Sequence, residues 1–471
     1  MMKINNILNY KFCFIFLFLI GVLFRTYNIN FDDLWIDEIS TFWIANPSIN
    51  ILTSYNNNST LELQPVLFNF IVRAYYSIFG YSDYNGRYIS SFFSILSIIT
   101  TSYLSWLISK NKSYLLTAFL LSFNVYLITY SHELRVYSVI FFFISLSILF
   151  YIHSLKKENF FNIFFFSIFF LFSIFLHPFS LILLFSIFFH IILISIFKKK
   201  YFKKIIISII GILLISIVYY IIHLRNLIPE TSNAYFFLKN PDLKFITNLY
   251  FSKFFGSRII GIIFLILFLF AIKRAYKKII NLEYVSFLLI FFSFSYIFPI
   301  IYGFLFHPII QPKYIIFTII PIILIITDFI FELKKSLRNK LIIFIVIITL
   351  GNSFTEQNIK QFYTDRIPHK PEINKALKLI SNSKYKDYLV KVEPYDDLKK
   401  PWTLAVENYL NFLNKKKNLQ INYINQLNNI PNQVWVICIH DLNHFGCNDK
   451  KFQEIDKIDL NRLTLSLVSV K

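Results

Sequence analysis

Apolar positions run along this chain in long stretches separated by short polar intervals. Eleven segments come near the length a helix needs to cross a bilayer, about 20 mostly apolar residues. They lie near 8–24, 88–107, 113–130, 137–155, 160–176, 178–197, 205–222, 258–272, 283–304, 314–332 and 339–353. The first runs on to Phe24 and is followed by Arg25-Thr-Tyr-Asn, a poor small-residue cleavage site, so it is expected to remain as an uncleaved span. Residues 64–79 are apolar enough to suggest a further crossing. They place Asn69 and Arg73 on one helix face, opposite a stripe of Leu67, Phe70, Ile71, Ala74 and Ile78. That pattern predicts a helix lying in the membrane interface.

Past residue 353 the texture becomes polar, rich in Asn, Lys and Asp. Residues 371–382 and 402–414 read as helices. Residues 386–393 (KDYLVKVE) and 433–439 (QVWVICI) read as strands, by their β-branched and aromatic content. The expected architecture is an all-α polytopic membrane protein of about eleven transmembrane helices over 1–353, whose first outer loop is 25–87. A small α/β extracytoplasmic domain would follow over 354–471.

Composition agrees with the pattern. The 471 residues are 56% hydrophobic and 15% charged, with 58 Phe, against roughly 45–50% apolar and about 25% charged in soluble domains. This excludes a soluble globular enzyme and a disordered chain, and three cysteines cannot build a disulfide scaffold. The net charge of +21 would suggest nucleic acid in a soluble protein. Here the basic residues collect in alternate short loops, at Lys110 and Lys112, at Lys156 and Lys157, at Lys198–Lys200 with Lys203 and Lys204, at Lys273–Lys278 and at Lys334–Lys340. The positive-inside rule therefore places the N-terminus in the cytoplasm and the C-terminal region outside, in a multi-pass cell (inner) membrane protein. The lipid bilayer is then the partner, and nucleic acid is not.

Candidate chemistry gathers at the outer ends of the spans. FDDLWIDEIS, residues 31–40, packs Asp32, Asp33, Asp37 and Glu38 into a few positions directly after a span. Such a cluster reads either as a solvated loop or as a site for a divalent metal, a general base, or both. Adjacent Asp37 and Glu38 point different ways from a helix start, so one can orient the other; Asp33 and Asp37 are four apart and could share a face. Glu62 and Gln64 sit just before Pro65, which can open the interfacial helix. His132, Glu133 and Arg135 occupy a short outer loop, where a basic residue reads as a snorkelling anchor or an anion ligand. Lys313 stands at the outer mouth of a span, and His177-Pro178 forms an outer hairpin. Cys438, His440, His444 and Cys447 are spaced C-x-H-x3-H-x2-C, which leaves zinc, a disulfide and unpaired thiols open. Asp328 and Glu332 are expected to pair with Lys334 or Lys335.

These residues in this order resemble the GT-C membrane glycosyltransferases, in the branch of protein O-mannosyltransferases and aminoarabinose transferases (glycosyltransferase family 39-like). Trp35-Ile-Asp37-Glu38 resembles the acidic motif of the first outer loop. Gln64-Pro65-Val66-Leu67 stands where that family has His-Pro-Pro-Leu. Gly80 to Ser91, with Arg87-Tyr-Ile-Ser90, resembles the entry to the next span, and Tyr130-Ser-His132-Glu133-Leu-Arg135-Val-Tyr137 a Tyr-Ser-x-Glu-x-Arg-x-Tyr pattern. His177 matches a later outer His, Lys313-Tyr314 stands in place of Arg-Tyr, and Val434-Trp435-Val436 resembles a strand of the outer tail. Gln64 and Lys313 are the departures; Lys keeps the charge of Arg but not its planar fork.

The resemblance implies a sugar donor carried on polyprenyl phosphate, an extracytoplasmic acceptor of unknown kind, and inversion at the anomeric carbon. Asp37 would be the base and Glu38 its orienting partner. Arg135 and Lys313, with Arg87, would receive the leaving phosphate. Gln64, His132, Glu133, Tyr137, His177 and Tyr314 would line the substrate site. Asp37 and Glu62 would hold a divalent metal (Mg, Mn or Zn) if one is used. No nucleotide cofactor is expected, since no Gly-rich strand–turn–helix fingerprint occurs. Rival readings are a polysaccharide polymerase or ligase using a prenyl-linked glycan, and a lipid or solute transporter. Spans nearly free of ionisable residues count against an ion-coupled carrier.

Overall fold

The computed structural model describes residues 2–62, 64–109, 112–226, 250–281, 284–306, 308–393, 400–416, 432–439 and 452–470. In chain order the helices are α1 (Met2–Thr26), α2 (Ile36–Ile44), α3 (Ile51–Leu61), α4 (Leu67–Phe79), α5 (Arg87–Ser109), α6 (Ser113–Ser122), α7 (Val125–Ser131), α8 (Tyr137–Lys156), α9 (Phe160–Leu176), α10 (Leu181–Lys198) and α11 (Lys203–Asn226). There follow α12 (Tyr250–Phe255), α13 (Arg258–Arg274), α14 (Tyr276–Ile280), α15 (Tyr284–Leu305), α16 (Ile319–Glu332), α17 (Lys335–Ser353), α18 (Gln357–Lys360), α19 (Ile373–Asn382) and α20 (Lys400–Lys416). Strands β1 (Val390–Glu393), β2 (Gln433–Ile439), β3 (Phe452–Leu460) and β4 (Leu463–Val470) complete the tail. Two units emerge from the packing. One comprises Met1–Tyr27, Glu62–Phe68 and Arg87–Asp365; the other comprises Asn28–Leu61, Asn69–Gly86 and Arg366–Lys471.

Among the described residues, each of the eleven apolar segments is helical, 113–130 with a break at 123–124. Among the described residues, seven helices are long and apolar enough to cross a membrane, and eight if α6 and α7 form one bent span. This is a polytopic, mainly helical membrane protein. α4 spans 13 residues, about 20 Å at about 1.5 Å per residue, too short for a hydrocarbon core of about 30 Å. Its apolar stripe is turned outward: Ala74 and Ile78 are exposed, and Leu67, Phe70 and Ile71 are half-buried.

In the first unit, α5 packs against α6 and α8, and α8 against α9. Small residues on α5, among them Ser90, Ser94, Ser97 and Ser105, are buried, which lets helix backbones approach where lipid offers no hydrophobic drive to association. Gly261 on α13 does the same against α12; a Cβ there would lie 2.5 Å from the Ser252 nitrogen.

The one span expected at 113–130 is broken. α6 and α7 meet at 55°. Carbonyls freed by such a break are costly away from water, and three of them find side-chain donors. Arg25 Nη2 donates to Leu121 O at 2.9 Å and Arg25 Nη1 to Ser122 O at 3.4 Å. Ser353 Oγ donates to Phe123 O at 2.9 Å. Asn124 caps α7, its side-chain oxygen accepting the Leu127 N–H at 2.8 Å while its amide donates to Phe254 O at 2.9 Å. Asp328 and Glu332 pair with Lys278, Asp328 at 2.7 Å. This corrects the expected pairing with Lys334 or Lys335: α14 carries Lys278 to the C-terminal end of α16, whereas the two near lysines leave with the turn into α17.

In the second unit the four strands form one sheet in the order β1-β2-β4-β3, with β1 and β2 parallel and the other pairs antiparallel. β2 is buried along nearly its whole length, as its run of Val, Trp, Val, Ile, Cys and Ile requires. α19 buries Ile373, Ala376, Leu377 and Ile380, the spacing of an amphipathic helix. The tail thus carries the helices and small sheet expected of it. α2 packs on α20 through Phe42, whose ring stands 5.0 Å from that of Phe412 and 4.2 Å from that of Tyr81. α4 turns its polar face to the same unit: Asn69 donates to Asn58 at 2.6 Å, and Arg73 caps the turn after α2 at Asn46 O, Pro47 O and Ile49 O.

Candidate functional site

Two constellations carry the residues singled out in the sequence, one in each unit. In the helical unit the polar loop 132–136 is folded back on itself, with the Arg135 N–H donating to Glu133 O at 2.8 Å. Ser90 at the start of α5 donates to Arg135 O at 2.9 Å. The turn thereby aims the Arg135 guanidinium at Glu62, with Nη1 to Oε1 at 2.7 Å and Nη2 to Oε2 at 3.2 Å. Both side chains are nearly buried, at 6% and 10% exposure, so the pair has a stronger interaction and a higher desolvation cost than a surface bridge. His132 turns away and contacts Phe24 O through Nε2 at 2.9 Å. Arg87, at the first residue of α5, is buried, and Gln64 and Glu133 are half-buried.

Beside Arg135, three of the expected residues form an aromatic wall. The His177 and Tyr314 rings lie 5.2 Å apart, Tyr137 and Tyr314 6.2 Å, and Tyr137 and His177 6.4 Å. Lys313 places its ammonium 5.6 Å from the Tyr137 ring centre, within cation–π reach. Local structure explains each placement. Tyr137 is the first residue of α8. His177 is held between α9 and α10, where its Nδ1 accepts the Phe179 N–H at 3.2 Å. Pro312 opens the short 3-10 turn that presents Lys313 and Tyr314. Burial, then the positive charges of Arg135 and Lys313, hold the His177 imidazole down to about 3, so it is neutral at ordinary pH. Phe179 and Tyr130, not among the expected site residues, extend the wall at 5.5 Å from Tyr314 and 5.4 Å from Tyr137. Tyr130 opens the quoted motif and Phe179 follows His-Pro, so both were within reach.

The acidic stretch lies in the other unit and is largely consumed by structure. Asp32 accepts from Arg366 Nη2 at 2.8 Å and from the His369 N–H at 2.9 Å. Asp33 accepts from the Asn374 N–H at 2.7 Å and from its side-chain amide. Asp33 precedes α2, so it does not share a helix face with Asp37. Glu38 is almost fully buried, and its Oε2 accepts the Trp35 N–H at 2.9 Å and Lys370 Nζ at 2.5 Å. Asp37 sits in the first turn of α2, half-buried, with its main-chain oxygen accepting the hydroxyls of Ser40 at 2.8 Å and Thr41 at 3.4 Å.

The residues present do not fit the divalent metal suggested for Asp37 and Glu62. Glu62 commits both oxygens to Arg135, and no group of three His, Cys, Asp or Glu suited to a metal occurs among the described residues. Of the cysteines, Cys13 is free and Cys438 is disulfide-bonded; His440, His444 and Cys447 lie outside the described residues.

No protein-family model matches the chain, and no curated protein matches it by sequence. Solved structures do. ArnT from Cupriavidus metallidurans in the apo state has 8% identity and a TM-score of 0.58, over 99% of this chain and 98% of that one. The same protein bound to undecaprenyl phosphate gives 9% and 0.55, over 96% and 97%. The Archaeoglobus fulgidus oligosaccharyltransferase in complex with Zn and sulfate gives 10% and 0.52, over 91% of this chain and 68% of that one. At such identities the likeness is one of fold, and it extends along nearly the whole chain.

Proposed function

Taking the GT-C fold of this chain as premise, we propose that the protein is an inverting glycosyltransferase. It moves one sugar from a polyprenyl-phosphate donor to an acceptor on the outer face of the membrane. The observation that carries this reading is the buried Arg135–Glu62 pair with Lys313 beside it, at the ends of apolar helices. The Lys313 ammonium, with a guanidinium that Glu62 holds in place and neutralises, suits a phosphate whose lipid tail remains in the bilayer. That one neighbour is bound to undecaprenyl phosphate supports the same donor class.

The steps follow from the chemistry. The Asp37 carboxylate takes the proton of an acceptor hydroxyl. The acceptor oxygen forms a bond to the anomeric carbon as the bond from that carbon to the phosphate oxygen breaks, which inverts the centre. The electron pair leaves with polyprenyl phosphate, and Arg135 and Lys313 stabilise the charge that develops, with Arg87 as a further cation. Glu62 fixes the guanidinium plane. Tyr137, His177 and Tyr314 give apolar faces to the substrate. Glu133, His132 and Gln64 shape the surrounding loops, and Glu38 holds the helix turn that carries Asp37. The N-terminus is cytoplasmic and the tail extracytoplasmic, as the basic loops direct.

The test compares lipids and surface glycans of a deletion strain with those of the wild type. One prenyl-phosphate sugar should accumulate while one surface modification disappears. Unchanged lipids and glycans would overturn the reading. Loss of a whole polymer, with accumulation of a prenyl-linked oligosaccharide, would replace it with a polymerase or ligase.

A further inference from the structure

Three of the four carboxylates in the acidic stretch are held by a single segment more than 330 residues downstream. Arg366 meets Asp32, Lys370 meets Glu38 and Asn374 meets Asp33, at sequence separations of 334, 332 and 341. The segment is itself anchored. Asn461, in the β3–β4 turn, donates its side-chain amide to Lys370 O at 2.9 Å and its N–H to Glu372 Oε2 at 2.9 Å. Arg366 also donates to Asn28 O at 2.9 Å and lies 4.5 Å from the Phe31 ring.

We propose that residues 366–374 are a positioning clamp for the acidic helix start, and that Lys370 acts through Glu38 to set Asp37. The proposal rests on the glycosyltransferase reading for its kinetic consequence but not for its structural one. Glu38 bonds the Trp35 N–H and so closes the first turn of α2. Its carboxylate is 1% exposed and Lys370 13%. A buried carboxylate deprived of its cation is strongly unfavourable, so without Lys370 this side chain leaves its place or takes up a proton. Either change loosens the turn that carries Asp37. Lys370 touches no reacting atom in this scheme; it is a positioning residue, and so is Glu38.

The experiment uses the full-length protein in lipid nanodiscs, with two readouts. Hydrogen exchange of the peptide covering 32–41 reports the clamp without any substrate. Transfer from a prenyl-phosphate sugar reports kcat and donor KM. Lys370→Met should raise exchange in that peptide and lower kcat by at least about tenfold, with donor KM within about twofold of wild type. Lys370→Arg should restore both. Glu38→Gln combined with Lys370→Met should regain protection over the single variant, because Gln accepts the Trp35 N–H without a stranded charge. Unchanged exchange in Lys370→Met overturns the clamp, and raised exchange with unaltered kcat overturns its positioning role. Should Lys370→Met not fold, Lys370→Gln carries the same two readouts. A wild-type protein that transfers no sugar from any prenyl-phosphate donor sinks the enzyme reading, while the exchange data still decide the clamp.

Discussion

Arg135 and Glu62, 73 residues apart in the chain, meet with two nitrogens against two oxygens at 2.7 and 3.2 Å. The pair joins a turn between two helices to a residue three positions before Pro65, and it leaves the guanidinium planar and fixed. Glu62→Ala should therefore destabilise the protein by about 3–5 kcal/mol, the usual cost of stranding one partner of a buried pair. Glu62→Ala with Arg135→Met should recover part of that loss. Thermal unfolding midpoints in one detergent check both, and a double variant no more stable than Glu62→Ala would show that the pair is not coupled.

Asp37→Asn should lower sugar transfer by about a thousandfold or more if the carboxylate accepts the acceptor proton. Membrane insertion and the unfolding midpoint should stay near those of wild type, because this half-exposed side chain lies on the surface of α2. Single-turnover assays with excess enzyme read the chemical step directly.

Lys313→Met should lower transfer by about a hundredfold, the scale of one lost charge-stabilising donor. Lys313→Arg should keep most of the activity, since the cation stays over Tyr137. Activity retained in Lys313→Met would remove this residue from the proposed phosphate site.

Much of this molecule is legible in its sequence, and the illegible parts have physical causes. Apolar runs mark every helix from α5 to α17 that is long enough to matter, because lipid demands uninterrupted apolar side chains. The break between α6 and α7 is hidden for the same reason. Apart from hydroxyl side chains only Asn124 interrupts the run, and what makes it a break is the set of donors on Arg25 and Ser353 that distant helices bring. In the tail, the β-branched texture of 433–439 shows β2. β4 alternates Leu463, Leu465 and Leu467, all buried, with polar residues between, so its cue was present though no strand was expected there. β3 carries Glu454, Asp456, Lys457 and Asp459, charges that suit an exposed edge strand and hide it. The aromatic wall of Tyr137, His177 and Tyr314 was foreseeable from order along the chain. The partners of Asp32, Asp33 and Glu38 were not, since nothing near Arg366 or Lys370 points back to the first loop.

His177 supplies the pH test. Its pKa is lowered from 6.5 to about 3 in the folded protein, by burial and by the charges of Arg135 and Lys313. Between those values the unfolded chain binds the extra proton, so stability rises with pH across that window and levels off above it. The contribution is fully present above about 6.5 and fades as pH falls toward 3. His177→Gln should flatten the acid side of the unfolding midpoint against pH. A variant whose acid slope equals that of wild type would show that His177 is not the group responsible.

The clasp between the acidic stretch and Arg366, Lys370 and Asn374 also has a consequence in time. A ribosome makes residues 32–38 long before their partners, which are more than 330 positions later. Until those partners arrive, the nascent chain holds uncompensated carboxylates on a turn that is not yet fixed. A chain aborted before residue 366 would keep its long apolar helices yet lack the ordered acidic turn, so truncated products lodged in the membrane would be inert.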